Sequence, residues 1–269
     1  MGKKNLCSCA TKLSFSCLQH DRRIIEMKNY LTLITLFYLF SACSNIQDPD
    51  KIIDKSVAYY HMDKLNNSSL EFVFRKAKFK AMQKDGQFKY ERTFSDSTGN
   101  VHDILTNEGF RRILNGKELS LDSIDHAKYS QSLNAVIYFL YLPLKLNDPS
   151  VVKSYVAEVS IKGKTYHKLK ISFDQSKGGA DHNDIYYYWF DTEDYSMDHF
   201  AYSSGGNRFR EVLRIQNAGG VIFQDYINFQ MPVDDSITTI LQYDSLYEAG
   251  KLRELSRIEL VDMVLTEPE

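Results

Sequence analysis

From Leu70 to Leu121 apolar and polar side chains alternate with a period of two, and Asp85-Gly86, Thr98-Gly99 and Asn115-Gly116 interrupt the alternation at short intervals. A period of two sends successive side chains to opposite faces of a strand. Asp-Gly and Asn-Gly between such runs supply the positive φ angles of two-residue hairpin turns. Strands joined this tightly must pair antiparallel, because a parallel pair needs a crossover of a dozen residues or more. Near Arg75 the phase of the alternation changes, which reads as a β-bulge. A second block of alternation covers Tyr155–Met231, with Lys162-Gly163, Gly205-Gly206 and Gly219-Gly220 as turns, and a last strand is expected over Arg253–Val264.

Two segments break the pattern. Pro49 to about Leu65 carries Ile52, Ile53, Val57 and Tyr60 at helical spacing after the capping Asp48. Ser123–Leu142 carries Leu133, Val136, Ile137, Leu140 and Tyr141 at helical spacing in an otherwise very apolar run, is stopped by Pro143, and is expected as one helix buried on most of its surface. A shorter helical turn is expected near Tyr243–Ala249. The predicted fold is mainly β (α+β): a single curved antiparallel sheet, or half-barrel, of about ten strands with two helices on its concave side. The aromatic content, 13% with 18 Tyr and 16 Phe, suits half-buried pleated surfaces.

All four cysteines, Cys7, Cys9, Cys17 and Cys43, lie in the first 43 residues, so the remainder holds neither a disulfide nor a thiolate metal site. Met27-Lys28 precedes the apolar run Tyr30–Phe40 and then Ser41-Ala42-Cys43, the three parts of a secretory signal. The run is shorter than the roughly 20 residues a spanning helix needs. Phe40-Ser41-Ala42-Cys43 resembles a lipobox, with Phe40 where Leu is usual. That resemblance implies acylation at Cys43, with residues 1–42 a signal segment (27–42 the signal peptide, 1–26 an upstream start), 43–50 a lipidated tether and 51–269 one β-rich domain. Ser44 after the Cys implies the outer membrane, so the expected location is the cell envelope and the expected partner is a membrane, reached through the acyl anchor. Six of the 33 basic and two of the 35 acidic side chains precede Cys43, leaving 27 basic against 33 acidic. An acidic domain without clustered Lys and Arg is a poor match for nucleic acid.

A set of short motifs stands out: Asn134–Phe139 with Leu142-Pro143-Leu144, Ile161–Tyr166, Tyr188-Trp189, Ala201-Tyr202-Ser203, Gly205–Arg210 and Asp225–Asn228. Together they resemble a family of uncharacterised envelope lipoproteins of Gram-negative bacteria, a domain of unknown function, over roughly Ile52–Met231. The order of sheet and helix is also similar to the half-barrel of the lipoprotein-localisation carriers. Neither resemblance brings catalytic residues with it.

Candidate chemistry is sparse. Asp225 is in phase with Val221, Phe223, Ile227 and Phe229, so its carboxylate is expected on the apolar side. A buried carboxylate must be paired or protonated, and Arg208 or Arg210 on the preceding strand is the expected partner. The aromatic set Tyr138, Phe139, Tyr141, Tyr187 and Trp189 either packs as core or lines a ligand cavity between helix and sheet. Tyr138, Phe139, Tyr187, Trp189, Arg208, Arg210 and Asp225 are therefore the ligand-binding candidates. Asp181, His182 and Asp184 in a Gly-flanked loop are the alternative, a hydrolase site, because His titrates near neutrality. No spacing among them matches a helical metal motif, and Ser203-Ser204-Gly205-Gly206 is not a nucleophile elbow. No motif calls for a cofactor or a metal. The reading that follows is a lipid-anchored, non-enzymatic envelope protein that binds an apolar or amphipathic ligand inside a curved sheet. The alternatives are the loop hydrolase and a structural or protein-interaction lipoprotein.

Overall fold

Every turn expected in the first block closes a hairpin. Strands β1 (Ser68–Phe74), β2 (Ala77–Lys84), β3 (Gln87–Asp96), β4 (Gly99–Thr106), β5 (Gly109–Leu114) and β6 (Lys117–Glu118) run as an antiparallel meander, each paired with the next. The structure, a computed structural model, describes residues 47–174, 176, 184–232 and 239–268. The second block gives β7 (Val151–Ile161), β8 (Lys164–Phe173), β9 (Tyr186–Asp191), β10 (Met197–Tyr202), β11 (Arg208–Ala218) and β12 (Val221–Gln230), again each antiparallel to the next.

The phase change at Arg75 is a turn, not a bulge. Phe74 pairs directly with Ala77, and Arg75 and Lys76 form the two-residue connection, with Arg75 at φ +56°. A tight reversal shifts the phase of the alternation as a bulge does, and Arg75-Lys76 lacks the Gly that would have marked it.

The expected single sheet of about ten strands is two sheets of seven. One has the order β14-β1-β2-β3-β4-β5-β6 and the other β13-β12-β11-β10-β9-β8-β7. The stretch expected as one last strand divides into β13 (Arg253–Ile258) and β14 (Leu260–Thr266), separated by Glu259 alone. β13 pairs with β12 and β14 with β1, so this terminal stretch is an edge of both sheets. Alternation reports which residues share a face. It does not report that a strand changes partner midway.

Helices α1 (Pro49–Tyr59) and α2 (Ser123–Leu140) start where expected, the first behind the Asp48 cap and the second behind Asp122, a cap the sequence reading did not single out. Asp48 accepts from the Asp50 amide at 3.1 Å, and Asp122 accepts from the Ile124 and Asp125 amides at 3.0 and 2.8 Å, a type of contact worth about 1 kcal/mol each. The helix expected to reach Leu65 stops at Tyr59 and continues as a 3-10 segment, Met62–Asn67, after His61 takes a left-handed φ of 54°. Both helices join one core with both sheets. Ile52 and Ile53 from α1 and Leu133, Ile137 and Leu140 from α2 are buried with Leu70, Phe72 and Tyr90 of the first sheet and Leu169, Tyr188 and Phe200 of the second. Tyr60 fixes the end of α1 to the second sheet: its hydroxyl accepts from the Met197 amide at 2.9 Å and from Gln224 Nε2 at 2.6 Å.

The second sheet is covered on its other face too. Helix α3 (Tyr243–Glu248) packs Tyr243 and Tyr247 against Trp189, Phe209, Tyr166 and Tyr187. That explains why β9 is buried along its whole length, as a strand apolar on both sides should be. A buried ion pair, Lys168 Nζ to Asp244 Oδ2 at 2.6 Å, with Trp189 Nε1 donating to the same oxygen at 3.3 Å, fastens the helix down.

Candidate functional site

Helix α2 packs along β3, β4 and β5 of the first sheet, and where its C-terminal end faces the second sheet through Phe139, packing is incomplete and a cavity of about 310 Å³ remains. Ala135, Val136, Phe139 and Leu140 of the helix form one wall. Tyr202, Arg210, Tyr226 and Asn228 form the floor, and Phe74, Arg75, Ser256 and Ile258 lie along the side where β1 turns and β13 ends. The volume is at the lower end of the range of about 300–1,000 Å³ typical of small-molecule sites.

Alternation on β11 dictates what the floor presents. Phe209 is committed to the outer face, stacked on Tyr247 with ring centroids 4.7 Å apart, so Arg210 must point inward. Register places it beside Phe200 on β10 and Asn228 on β12. Its guanidinium lies 4.4 Å from the ring centre of Phe139 and 5.1 Å from those of Phe200 and Tyr202, and Nη2 donates to the Tyr202 hydroxyl at 2.9 Å. Among the described residues no carboxylate forms an ion pair with it, and its Nε and the Oδ1 of Asn228 are buried without a hydrogen-bond partner. Gln224 and Tyr226 are satisfied by contrast. Tyr226 donates to Gln224 Oε1 at 2.6 Å, and Gln224 Nε2 donates to the Tyr60 hydroxyl and to the Met197 carbonyl. Burial pushes the Tyr226 hydroxyl far above its ordinary range, and the charge of Arg210 pulls it partly back.

The residues singled out in the sequence separate into distinct places. Phe139 and Arg210 line the cavity. Tyr138 is half-buried beside Phe139, ring centroids 6.0 Å apart, and Tyr141 is buried near Tyr90. Tyr187 and Trp189 lie on the opposite face of the second sheet, under α3. Arg208 begins β11 and donates to the Asn207 carbonyl. Asp225 is fully buried, as its phase required, but its partner is not Arg208 or Arg210. Arg214 stands directly across the ladder and donates Nε to Asp225 Oδ2 at 2.6 Å, while Arg210 lies opposite Asn228. A register shift between Val212 and Arg214 sets this pairing, and no sequence signal marked it. Cys43, the signal segment, Asp181 and His182 lie outside the described residues; Asp184 is half-buried. Asn228, Tyr202 and Tyr226 were not singled out, although Asn228 shares the phase of Gln224 and Tyr226 along β12.

A second cluster occupies the outer face. His199 is buried among Tyr166, Phe209 and Tyr247. Burial pushes its imidazole down to about 4, opposed by Asp198 and Glu211 and reinforced by Lys162 and Lys164. In an unfolded chain the same group titrates near 6.5. Below that value the unfolded state takes up the proton first, so stability falls as pH drops from 6.5 to about 4 and this contribution is gone below that. The loss is on the order of 3 kcal/mol. His199→Phe is expected to keep the ring packing and flatten the denaturation midpoint over that interval; a variant with the wild-type slope would show that other groups carry it. Among the described residues no group of three His, Cys, Asp or Glu side chains is placed to hold a metal, and no helix is long and apolar enough to cross a membrane.

A family model described as a family of unknown function (DUF6503) matches residues 28–260. No curated protein matches the chain. Similar solved structures include a LolA superfamily protein from Nitrosomonas europaea, at 9% identity and TM-score 0.45 over 83% of this chain and 96% of that one. A DUF1329 family protein from Desulfovibrio piger is 12% identical, TM-score 0.43, over 68% of this chain and 86% of that one. The lipoprotein LppX from Mycobacterium tuberculosis is 14% identical, TM-score 0.28, over 60% and 91%.

Proposed function

We propose that this chain, which belongs to the DUF6503 family of unknown function, is a lipid-anchored, non-enzymatic envelope protein that binds an apolar or amphipathic ligand in the cavity between α2 and the second sheet. The observation that carries the reading is the cavity itself. Close packing is the rule in protein interiors, yet here Val136, Phe139, Leu140, Tyr226 and Ile258 surround about 310 Å³ of space. Anchoring through Cys43 is supported by the signal-like run and the small residues before it, and it would hold the domain beside a source of apolar ligands.

Two measurements test this. Protein isolated from membranes and extracted with organic solvent should release a defined apolar molecule. Val136→Trp, which fills the cavity from the helix side, should release at least tenfold less while its thermal unfolding changes little. An extract without any such molecule, or equal amounts from both proteins, would sink the cavity reading. Cys43→Ser should move the protein from the membrane to the soluble fraction, and an unacylated Cys43 peptide would remove the anchor.

A further inference from the structure

We infer that the ligand is a single-chain amphiphile with an anionic head, and that Arg210 receives the head. The inference rests on the proposed cavity and adds to it the chemistry of what enters. Arg210 is nine-tenths buried. Taking a cation out of water costs several kcal/mol unless an anion or a full set of hydrogen bonds replaces the hydration. The three rings of Phe139, Phe200 and Tyr202 offer cation–π contacts, each smaller than that cost, and the Tyr202 hydroxyl takes one of five guanidinium N–H groups. What the site lacks is an acceptor at Nε.

The surroundings point the same way. Among the described residues no Asp or Glu lines the cavity, while Arg75 contributes a second, exposed guanidinium at its side. The domain is acidic as a whole, yet the charged side chains lining this cavity are the cations Arg75 and Arg210. An anionic head beside Arg210 would fill the fork of donors that guanidinium presents. A hydroxyl on the same head could donate to the unpartnered Oδ1 of Asn228, the ladder neighbour of Arg210. The apolar tail would then run along Val136, Leu140 and Ile258. A volume at the lower end of the ligand-site range holds one chain and not two.

The test uses the full chain, freed of extracted lipid, in equilibrium dialysis against three probes of equal length: tetradecanoate, tetradecyl phosphate and tetradecanol. Wild-type protein should bind at least one anionic probe roughly tenfold or more tighter than the alcohol, the size expected for a hydrogen bond to a charged group. The better of the two anions tells a free fatty acid from a lipid phosphate. Arg210→Met should lose that preference and still bind the alcohol, and Arg210→Lys should recover part of it. Equal binding of all three probes by wild type overturns the anionic head and leaves the cavity reading standing. Failure to bind any of the three overturns both. If Arg210→Met does not fold, the wild-type preference for the anionic probes over the alcohol still decides.

Discussion

Replacing Asp103 by Ala is expected to destabilise the protein by about 3–5 kcal/mol, the cost of stripping one partner from a buried ion cluster. Asp103 is fully buried on β4, and register places Arg92 of β3 on one side of it and Arg112 of β5 on the other. Both arginines grip it with two nitrogens: Arg92 Nε and Nη2 at 3.0 and 2.7 Å, Arg112 Nε and Nη2 at 2.6 and 2.9 Å. Each also reaches α2. Arg92 donates to Ser132 Oγ at 2.9 Å, and the Arg112 guanidinium lies 3.3 Å from the ring centre of Tyr129. Without the carboxylate two nearly buried cations face each other beneath the helix that walls the cavity, so ligand retention should fall together with stability. Chemical denaturation measures the first and solvent extraction the second. Asp103→Asn should be nearly as damaging, since it keeps the shape and loses the charge. The combination Arg92→Met, Asp103→Leu and Arg112→Met should recover most of the loss, because an apolar trio leaves no charge stranded. A cost below about 1 kcal/mol for Asp103→Ala would mean that water reaches the cluster and that α2 is held by its apolar face alone.

This cluster marks a limit of reading faces without register. Asp103 lies in phase with Val101 and Leu105, so the alternation already put a carboxylate on the apolar side of β4. What alternation could not supply was the register that sets Arg92 and Arg112 against it, because that depends on two turn lengths at once. The same division runs through the rest of the molecule. The antiparallel strands and both long helices were legible, since periods of 2 and 3.6 and the punctuating Asp-Gly, Asn-Gly and Pro are local signals. The split into two sheets was not, because it arises from a change of partner at Glu259, a tertiary event. Of the cavity, Phe139 was visible as an aromatic on the apolar helix, and Arg210 was singled out only as an expected partner of Asp225, a place that Arg214 takes. Tyr187 and Trp189 were assigned to the same interior because β9 is apolar on both faces, and composition alone cannot say which face meets which helix.

The terminal stretch that joins the two sheets depends on Asp225, and Asp225→Ala should release it. Asp225 Oδ1 accepts from the Leu260 amide at 2.9 Å, and Gln216, which donates Nε2 to both carboxylate oxygens, also donates to the Leu260 carbonyl at 2.9 Å. Leu260 is the first residue of β14 and pairs with Phe74, whereas Ile258, two residues earlier, still pairs with Tyr226 in the other sheet. The carboxylate thus fixes the backbone at the point where it leaves one ladder for the other, where regular ladder hydrogen bonds give out. Arg214 is half-exposed, so water can replace its side of the contact. The buried Leu260 amide has no such substitute and would be left unsatisfied, at a cost of about 1–3 kcal/mol. Because Ile258 and Leu260 both line the cavity, loosening this point opens the cavity along the side where β1 turns and β13 ends. Hydrogen exchange resolves the effect locally: the Leu260 and Val261 amides should exchange about thirtyfold faster in Asp225→Ala, as a 2 kcal/mol loss implies, while amides in the centre of β3 and β4 keep their rates. A uniform acceleration across both sheets would make Asp225 a contributor to global stability only. Unchanged exchange at Leu260 would place the hold on the terminal strand in its packing, where Leu265 leaves no room for a Cβ at Gly219.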